Sequence, residues 1–145
     1  MDFKIDKMSL EDLISIKDIL TTEFDDFWNY EILKSELESN NSYFFVAKNI
    51  SGEIVGFSGI KIILDEADIM NIVVKKDFRN NGIGSLLLDY LISYSKSINL
   101  KTITLEVNEI NIPAIKLYEK FDFEKLGIRK KYYNGENDAI IMSKK

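Results

Sequence analysis

Two stretches of this sequence pass from a strand pattern through a helix pattern into another strand pattern, and they limit the folds open to the chain. The first runs from an apolar strand over 67–74 through a helix over 85–98 to a strand over 102–107. The second continues through a helix that Asn111 and Pro113 open, and then reaches a further strand. Parallel neighbours need such a crossover, so we expect locally parallel strands near the centre of a sheet.

The rest of the chain adds two helices and flanking strands. Ser9 and Asp12 resemble a capping box, and apolar residues with a period near 3.6 follow as far as Leu20. Two hairpins are indicated, the second turning through Asn134 and Gly135. Beyond an alternating N-terminal strand, the remaining predicted boundaries are a helix over 30–38 and strands over 43–48, 54–64, 123–132 and 139–142. This order predicts one α/β (α+β) domain over residues 1–145, with a mixed sheet of about seven strands and about four helices.

The absence of cysteine and histidine restricts the chemistry of the chain. It excludes disulfides, thiolate nucleophiles, Ser-His-Asp relays and the usual zinc sites. Proton transfer must therefore use carboxylates, tyrosines or lysines. Group transfer is expected to be direct, with both substrates bound together and no metal.

Charge and apolar patterning limit the expected partners and location. The formal net charge of −5 disfavours binding to nucleic acid and favours a cationic partner. The longest unbroken apolar run is the five residues 43–47. We therefore expect neither a signal peptide nor contact with a membrane, and a cytoplasmic protein. The sequence does not indicate the oligomeric state.

A glycine-containing turn follows the apolar strand that ends at Val74. Two glycines allow backbone amides to converge on one point, and the helix that begins there adds positive potential. The spacing RxxGxG is neither a dinucleotide fingerprint, which needs a third glycine, nor a Walker loop, which needs Gly-Lys-Ser/Thr. The turn predicts an anion site, although two glycines could also serve only to shorten a connection. Its residues are Arg79, Asn80, Asn81, Gly82, Ile83, Gly84 and Ser85.

A glutamate and a tyrosine follow on neighbouring elements. In the strand over 102–107, residues 103, 105 and 107 form the apolar face, so Glu106 lies on the other face. Tyr118 falls in the apolar stripe of the next helix. Taken alone, each has an ordinary explanation, a solvated carboxylate and a core tyrosine.

Taken together, these motifs resemble those of the GNAT superfamily of N-acetyltransferases, and within it the bacterial ribosomal-protein-alanine acetyltransferases. The resemblance covers residues 64–142. Lys76 stands where related sequences often have proline, and Asp122 where they usually have glycine. Aspartate tolerates left-handed backbone better than most residues, so we expect that turn to be intact. The matching segments are 64–67, 71–74, the RxxGxG turn, 105–107, Asn111, 114–115, 117–119, 128–133 and 138–142.

The resemblance implies a GNAT fold and acetyl-CoA as the co-substrate. The glycine turn from Arg79 to Ser85 would cradle the pyrophosphate of coenzyme A, and Asn111 would help to position the cofactor. The backbone of Ile72, Val73 and Val74 would pair with the pantetheine arm like an added strand.

The resemblance also implies the two catalytic roles. Glu106 would act as a general base on the substrate amine through water, and Tyr118 as the acid that protonates the departing thiolate. The chemistry agrees, because an amine attacks a thioester only when neutral, and an N-terminal amine has a reference pKa of about 7.7 to 8.0 against about 10.4 for lysine. The N-terminal amine therefore needs less help from a base than a lysine side chain does.

On the acceptor side, four aromatic residues occupy regions that resemble the walls of the family's peptide site: Trp28, Tyr30, Tyr132 and Tyr133. The expected activity is acetylation of the N-terminal alanine of a ribosomal protein. Two alternatives stay open at this point. One is a GNAT enzyme that acts on a small-molecule amine or a lysine side chain, and the other is a noncatalytic acyl-CoA sensor.

Overall fold

An eight-stranded mixed sheet with helices on both faces forms the centre of the protein. The structure is a computed structural model that describes residues 2–24, 29–133 and 135–145. Its strands are β1 (Lys4–Lys7), β2 (Ser42–Lys48), β3 (Ile54–Ile63), β4 (Glu66–Ile69), β5 (Val73–Val74), β6 (Thr102–Asn108), β7 (Glu124–Tyr133) and β8 (Asn137–Lys144). Its α-helices are α1 (Leu10–Ser15), α2 (Tyr30–Leu37), α3 (Ile83–Ser97) and α4 (Ile112–Lys120). The predicted α/β class and mixed sheet are confirmed.

The strands run in the order β1-β2-β3-β4-β6-β8-β7, and β5 pairs with β3 beyond the end of β4. The central pair β4 and β6 is parallel, as the α3 crossover predicts. The α4 passage differs from expectation, because β8 inserts between β6 and β7 and is antiparallel to both. The predicted C-terminal hairpin is therefore present, and its second strand joins the central sheet. Asn134, predicted to be in its turn, lies outside the described residues.

The predicted strand over 67–74 is wrong in one respect, because it is two strands. Ile60 pairs with Ile69, whereas Phe57 pairs with Val73, so three steps along β3 correspond to four along the facing chain. One extra residue is therefore inserted, which is the pairing of a β-bulge. The Ser58 hydroxyl, fully buried, donates to the Met70 carbonyl at 3.1 Å and satisfies that group within the irregular segment. This break accounts for the eighth strand.

The first helix is shorter than its apolar pattern predicts. The capping box is present, with Ser9 and Asp12 each accepting from the backbone N–H of the other. The α-helix nevertheless ends at Ser15 and continues as a 3₁₀ turn over Lys17–Ile19 and a π turn over Leu20–Phe24. The change of winding keeps both Leu20 and Phe24 buried, so the core contacts survive the loss of α-helical geometry.

The core lies in two layers, one on each face of the sheet. Phe44 belongs to the layer beneath α1 and α2, and its neighbour Phe45 belongs to the layer beneath α3 and α4. This alternation is the two-residue period of a strand that is covered on both faces. Tyr118 of α4 packs in the same layer as Phe45.

Gly56 allows α3 to approach the sheet at the start of the helix. A Cβ atom at this position would lie 3.0 Å from the Val73 carbonyl oxygen and 3.1 and 3.2 Å from side-chain carbons of Ile83 and Leu87. These contacts are tight, and all three neighbours are buried. The first turn of α3 can therefore lie against β5 because Gly56 has no side chain.

We predict that Gly56→Ala lowers the free energy of unfolding by roughly 1–3 kcal/mol, because the added methyl group overpacks the α3–β5 contact. Chemical denaturation measures this change. The matched control is Gly127→Ala, whose added Cβ would find Ile141 at an ordinary 3.9 Å and which should change stability by no more than about 0.5 kcal/mol. Equal effects of the two substitutions would contradict this packing argument.

Candidate active site

The central parallel pair separates part-way along its length. β4 and β6 are paired from Glu66 with Thr102 up to Ile69 with Leu105. Beyond that point β5 pairs with β3, and the rest of β6 pairs with β8. Among the described residues, no strand pairing joins β5 to β6, so the two diverge and leave a gap between backbone edges. An extended ligand can add to such an edge through main-chain hydrogen bonds.

One end of the gap meets the N-terminus of α3. Gly82 is the N-cap, with φ of 76° in the left-handed region, and it supplies no side-chain cap to the helix. The Leu86 amide bonds back to the Gly82 carbonyl, which leaves the preceding amides of the first turn without a helical partner. The first turn also carries no acidic residue. Free N–H groups and the helix dipole therefore make this end suitable for an anion.

Side chains of the turn support its backbone. The Arg79 guanidinium donates to the Val74 carbonyl at 3.2 Å and to the Phe24 carbonyl at 2.8 Å. Asn80 has φ of 66°, and the Asn81 amide donates to the Phe78 carbonyl at 3.0 Å. Arg79 thus ties the turn to the end of β5, and its predicted contact with a phosphate stays a prediction.

The other side of the gap opens into a polar cleft of about 380 Å³. Met70 and Asn71 line it from the segment between β4 and β5, and Glu106 lines it from β6. Tyr132 and Tyr133 line it from the end of β7. The cleft therefore joins the strand gap to the predicted base and to two of the four predicted acceptor residues. Its remaining lining residues are Glu36, Lys61, Asp68, Ile69 and Arg129.

Glu106 belongs to a charged group on the polar face of the sheet. Arg129 of β7 forms an ion pair with it, at 2.8 Å between Nη2 and Oε1. Asp68 of β4 stands near. The residue as a whole is exposed, but partial desolvation of its carboxyl group raises its pKa, and the negative charge of Glu106 raises it further. Lys61 and Arg129 oppose that rise. Besides Glu36, the cleft therefore holds two carboxylates that compete for limited positive charge.

Tyr133 and Tyr118 extend this group of interacting side chains from the cleft toward the interior of the protein. Burial raises the pKa of Tyr133, and the charge of Glu106 adds to the shift. Burial raises the pKa of Tyr118 to about 12, with a further contribution from Tyr133. Across residues 2–24, 29–133 and 135–145, no group accepts or donates a hydrogen bond at the Tyr118 hydroxyl. A buried hydroxyl without a protein partner is a candidate for a ligand contact.

Comparisons with known proteins agree with this geometry. The acetyltransferase (GNAT) family profile matches residues 13–123. The chain belongs to the acetyltransferase (GNAT) family. Its members transfer an acetyl group from acetyl-CoA, and the chain is an N-acetyltransferase of this kind. The confirmed resemblance covers the fold, the enzyme class and the co-substrate.

Similar proteins narrow the relationship within the GNAT family. A Bacillus subtilis protein with the provisional name [ribosomal protein bS18]-alanine N-acetyltransferase is 35% identical over 93% of this chain and 90% of its own length. The Haemophilus influenzae [ribosomal protein bS18]-alanine N-acetyltransferase is 34% identical over 80% of both chains. The crystal structure of the ribosomal-protein-S18-alanine N-acetyltransferase from Escherichia coli has a TM-score of 0.88 and 30% identity, covering 98% of this chain and 92% of that one.

The remaining predicted site residues fall in different places. Trp28 lies outside the described residues. Tyr30 is at the start of α2, with the Lys17 ammonium 4.6 Å from its ring centroid, and it is not among the residues that line the cleft. Asn111 caps α4 by accepting from the Ala114 amide at 3.3 Å. Asp122 has φ of 69°, which confirms the left-handed turn expected there.

Among the cleft residues that sequence reasoning missed, two interact electrostatically with Glu106. Asp68 reads as a scattered surface carboxylate and Arg129 as part of a solvated basic run. The two-residue period of a strand places Asp68 on the polar face of β4 and Glu106 on the polar face of β6, and this signal could have been used. Whether the two side chains are close, however, depends on the order of the strands.

No described helix is long and apolar enough to span a membrane. No group of three or more acidic residues among those described could hold a metal ion.

We predict that Tyr118→Phe leaves stability at neutral pH within about 1 kcal/mol of the parent, because the ring packing is kept and the lost hydroxyl has no hydrogen-bond partner among the described residues. Between about pH 10 and 12 the variant should become more stable than the parent. In the unfolded chain this tyrosine ionises near pH 10, whereas its pKa in the folded parent is about 12, so the stability of the parent falls as pH rises from about 10 to 12 and the variant lacks this loss. Denaturant unfolding across this range measures both effects, and a difference that does not change with pH would contradict the assignment.

Proposed function

We propose that this enzyme acetylates the N-terminal alanine of a ribosomal protein of the bS18 type, in the cytoplasm. One observation carries the proposal: the gap between β5 and β6 has an anion-binding helix terminus at one end and the Glu106 cleft at the other. A thioester carrier lying in the gap would present its acyl carbon to an amine in the cleft. The 35% identity to the Bacillus subtilis protein, over nearly the whole chain, supports the choice of acceptor.

The cofactor would be held mainly by backbone groups. The first amides of α3 and the turn from Arg79 to Gly82 would surround the diphosphate, and the free edge of Val73–Val74 would pair with the pantetheine arm. The side chains of Val73 and Ile83 are buried, so these residues can contribute only through their main chain. Acetyl-CoA supplies the activated acetyl group, and the protein orients it.

Glu106 would accept the proton that the acceptor amine must lose. The carboxylate has two oxygen atoms, of which Oε1 is paired with Arg129. A water molecule on the other oxygen could carry the proton from the ammonium, as an N-terminal amine with a reference pKa of about 8 requires only modest help at neutral pH. The neutral amine then attacks the thioester carbon, and the carbon–sulfur bond breaks.

Tyr118 would stabilise the thiolate that leaves. Its pKa of about 12 keeps the hydroxyl protonated at neutral pH, so it is available as a donor. A thiol has a reference pKa near 8.5, so the tyrosine holds its proton more strongly than the thiol does. In place of the acid role that the resemblance implies, we therefore assign Tyr118 the role of a hydrogen-bond donor to the thiolate. Glu106 keeps the first proton of the ammonium group, and the thiolate takes the second proton, which the nitrogen loses as the tetrahedral intermediate collapses to the amide.

Incubation with acetyl-CoA and a set of ribosomal proteins, followed by intact mass measurement and fragmentation, tests the acceptor. We expect one acetyl group on the N-terminal alanine of the bS18-type protein. Acetylation of lysines or of polyamines instead would assign the enzyme to the small-amine or lysine class. Tight binding of acetyl-CoA without transfer to any acceptor would indicate a sensor.

We predict that Glu106→Gln lowers kcat by roughly 10²- to 10⁴-fold, because proton transfer from the amine loses its acceptor. Tyr118→Phe should lower kcat by roughly 10²-fold, the usual effect of losing one donor to developing charge. Steady-state kinetics with an alanine-starting peptide measures both. The affinity for acetyl-CoA should stay near that of the parent, and full activity in both variants would refute these roles.

We predict that Gly84→Ala weakens acetyl-CoA binding by at least tenfold without loss of stability. The protein itself tolerates a methyl group here, since the nearest atom to an added Cβ is a side-chain carbon of Leu117 at 3.7 Å, and alanine favours a helix by about 1 kcal/mol over glycine. The methyl group would instead meet a diphosphate that approaches the backbone. Titration calorimetry gives the affinity, and unchanged binding would move the diphosphate away from this turn.

A further inference from the structure

We propose that Arg129 is a positioning residue for the reaction: its guanidinium orients the Glu106 carboxylate and offsets the negative charge of Asp68. Arg129 acts through Glu106 and has no direct role at the reacting atoms. The inference deepens the proposed function, because it rests on Glu106 serving as the base.

The Arg129 side chain directly contacts one of the two carboxylate oxygens of Glu106. Arg129 Nη2 lies 2.8 Å from Glu106 Oε1, a length typical of a charge-assisted hydrogen bond. No other described residue forms a hydrogen bond or ion pair with the Glu106 carboxylate. One oxygen is therefore fixed by the guanidinium, and the second remains available to the acceptor side of the cleft.

Arg129 is itself held in place from the opposite side. Its guanidinium carbon lies 4.7 Å from the centroid of the Tyr132 ring, and that ring meets Tyr133 edge-on with centroids 5.1 Å apart. Cation–π contact favours a planar guanidinium over an aromatic face. The Arg129 side chain thus bridges Tyr132 and Glu106, two residues that line the cleft from different strands.

An irregularity in β7 supports this arrangement. The pairing of β7 with β8 shifts register between Arg129 and Tyr133, and Lys131 within this segment has φ of 52°. The Lys131 amide donates to the Asp138 carboxylate at 2.8 Å, which fixes the irregular segment onto β8. Irregular pairing of this kind changes the direction of side chains relative to a regular strand.

The charges around Glu106 explain why a cation is needed. Lys61 is paired with Glu36 at 3.6 Å, so its charge is shared with another carboxylate. Asp68 has no ion-pair partner among the described residues, and Glu106 raises its pKa. Opposite Glu106 on β8 stands Ile141, which carries no charge. The charged and titratable groups that line the cleft with Glu106 are Glu36, Lys61, Asp68, Arg129, Tyr132 and Tyr133.

Without Arg129, Asp68 and Glu106 would lie on neighbouring strands with little compensating charge. The guanidinium lowers the pKa of Asp68, so its loss would raise that pKa further. The same loss would remove the one contact that fixes a Glu106 oxygen among the described residues. Arg129 therefore holds the Glu106 carboxylate in the orientation that the base requires and offsets the neighbouring charge of Asp68.

The experiment compares Arg129→Gln and Arg129→Lys with the control Lys130→Gln, which removes the same charge from the next residue of β7. Arg129 is half exposed, so these variants should fold, and their affinity for acetyl-CoA should match that of the parent. With acetyl-CoA and an alanine-starting peptide, Arg129→Gln should lower kcat by roughly 10- to 100-fold and move the acidic limb of the pH–rate profile to higher pH. Lys130→Gln should change neither.

Two further variants separate charge from structure. Arg129→Lys keeps the charge but not the planar fork, so it should restore the position of the acidic limb and only part of kcat. Adding Asp68→Asn to Arg129→Gln should also return the limb toward the parent, since the competing carboxylate is gone. A merely structural role for Arg129 predicts neither recovery, and an Arg129→Gln variant with the parent kcat and pH profile would overturn the inference.

An activity-independent measurement distinguishes this inference from the proposed function. Carboxyl ¹³C NMR of the protein without substrates follows the titration of Glu106 and Asp68 in the parent and in Arg129→Gln. We expect the Asp68 resonance to titrate at higher pH in the variant, because the guanidinium that lowers the Asp68 pKa is gone. Unchanged titration would refute the coupling even if the enzyme acetylates alanine, whereas a shift with no transfer to any alanine peptide would leave the coupling intact and refute the acceptor.

Discussion

The divergence of β5 from β6 is the constraint on which the active site depends. β3 pairs with β4 as far as Ile60 and with β5 from Phe57, and the facing chain carries one extra residue between Ile69 and Val73. The ladder with β6 ends at Ile69, beside the extra residue, and beyond it the backbone edge that faces the gap pairs with no described strand. A free edge is a liability in a folded protein unless a ligand uses it, and here it leads from the start of α3 to Glu106.

The tight contact at Gly56 links this backbone feature to the anion site. Because α3 lies against β5 at its first turn, the free amides of the helix open at one end of the gap. Hydrogen bonds from the Arg79 guanidinium to the Val74 and Phe24 carbonyls hold the same turn in place. The stability of the fold and the proposed cofactor site thus depend on a small set of shared backbone contacts, which side chains support.

Proton handling depends on a different property, which is the uneven distribution of charge across the polar face. Asp68 and Glu106 come from β4 and β6, and Arg129, which pairs with Glu106, comes from β7, which the chain reaches only after α4. Tyr133 interacts electrostatically with both Glu106 and Tyr118. Deep burial raises the pKa of Tyr118 and keeps its hydroxyl protonated. A carboxylate and a phenol separated in this way can serve the amine and the thiolate separately.

Much of this arrangement could be predicted from local patterns. The order of elements, the RxxGxG turn after an apolar strand, the face of Glu106 and the stripe position of Tyr118 all follow from periodicity and turn chemistry, which act over a few residues. The extent of α1 was overestimated, because the π turn that buries Phe24 has no signature in the apolar spacing. Tyr30, expected in the acceptor wall, lies against Lys17 and is not among the residues that line the cleft, so its contact with an acceptor stays a prediction.

By itself, the sequence determined the local elements and, through its glycines and the absence of histidine and cysteine, the class of chemistry. Only the tertiary structure decided that β8 separates β6 from β7, that one inserted residue opens the sheet, and that Arg129 reaches Glu106. The physical reason is that strand order and register are settled by long-range pairing and burial, which no short window of residues contains.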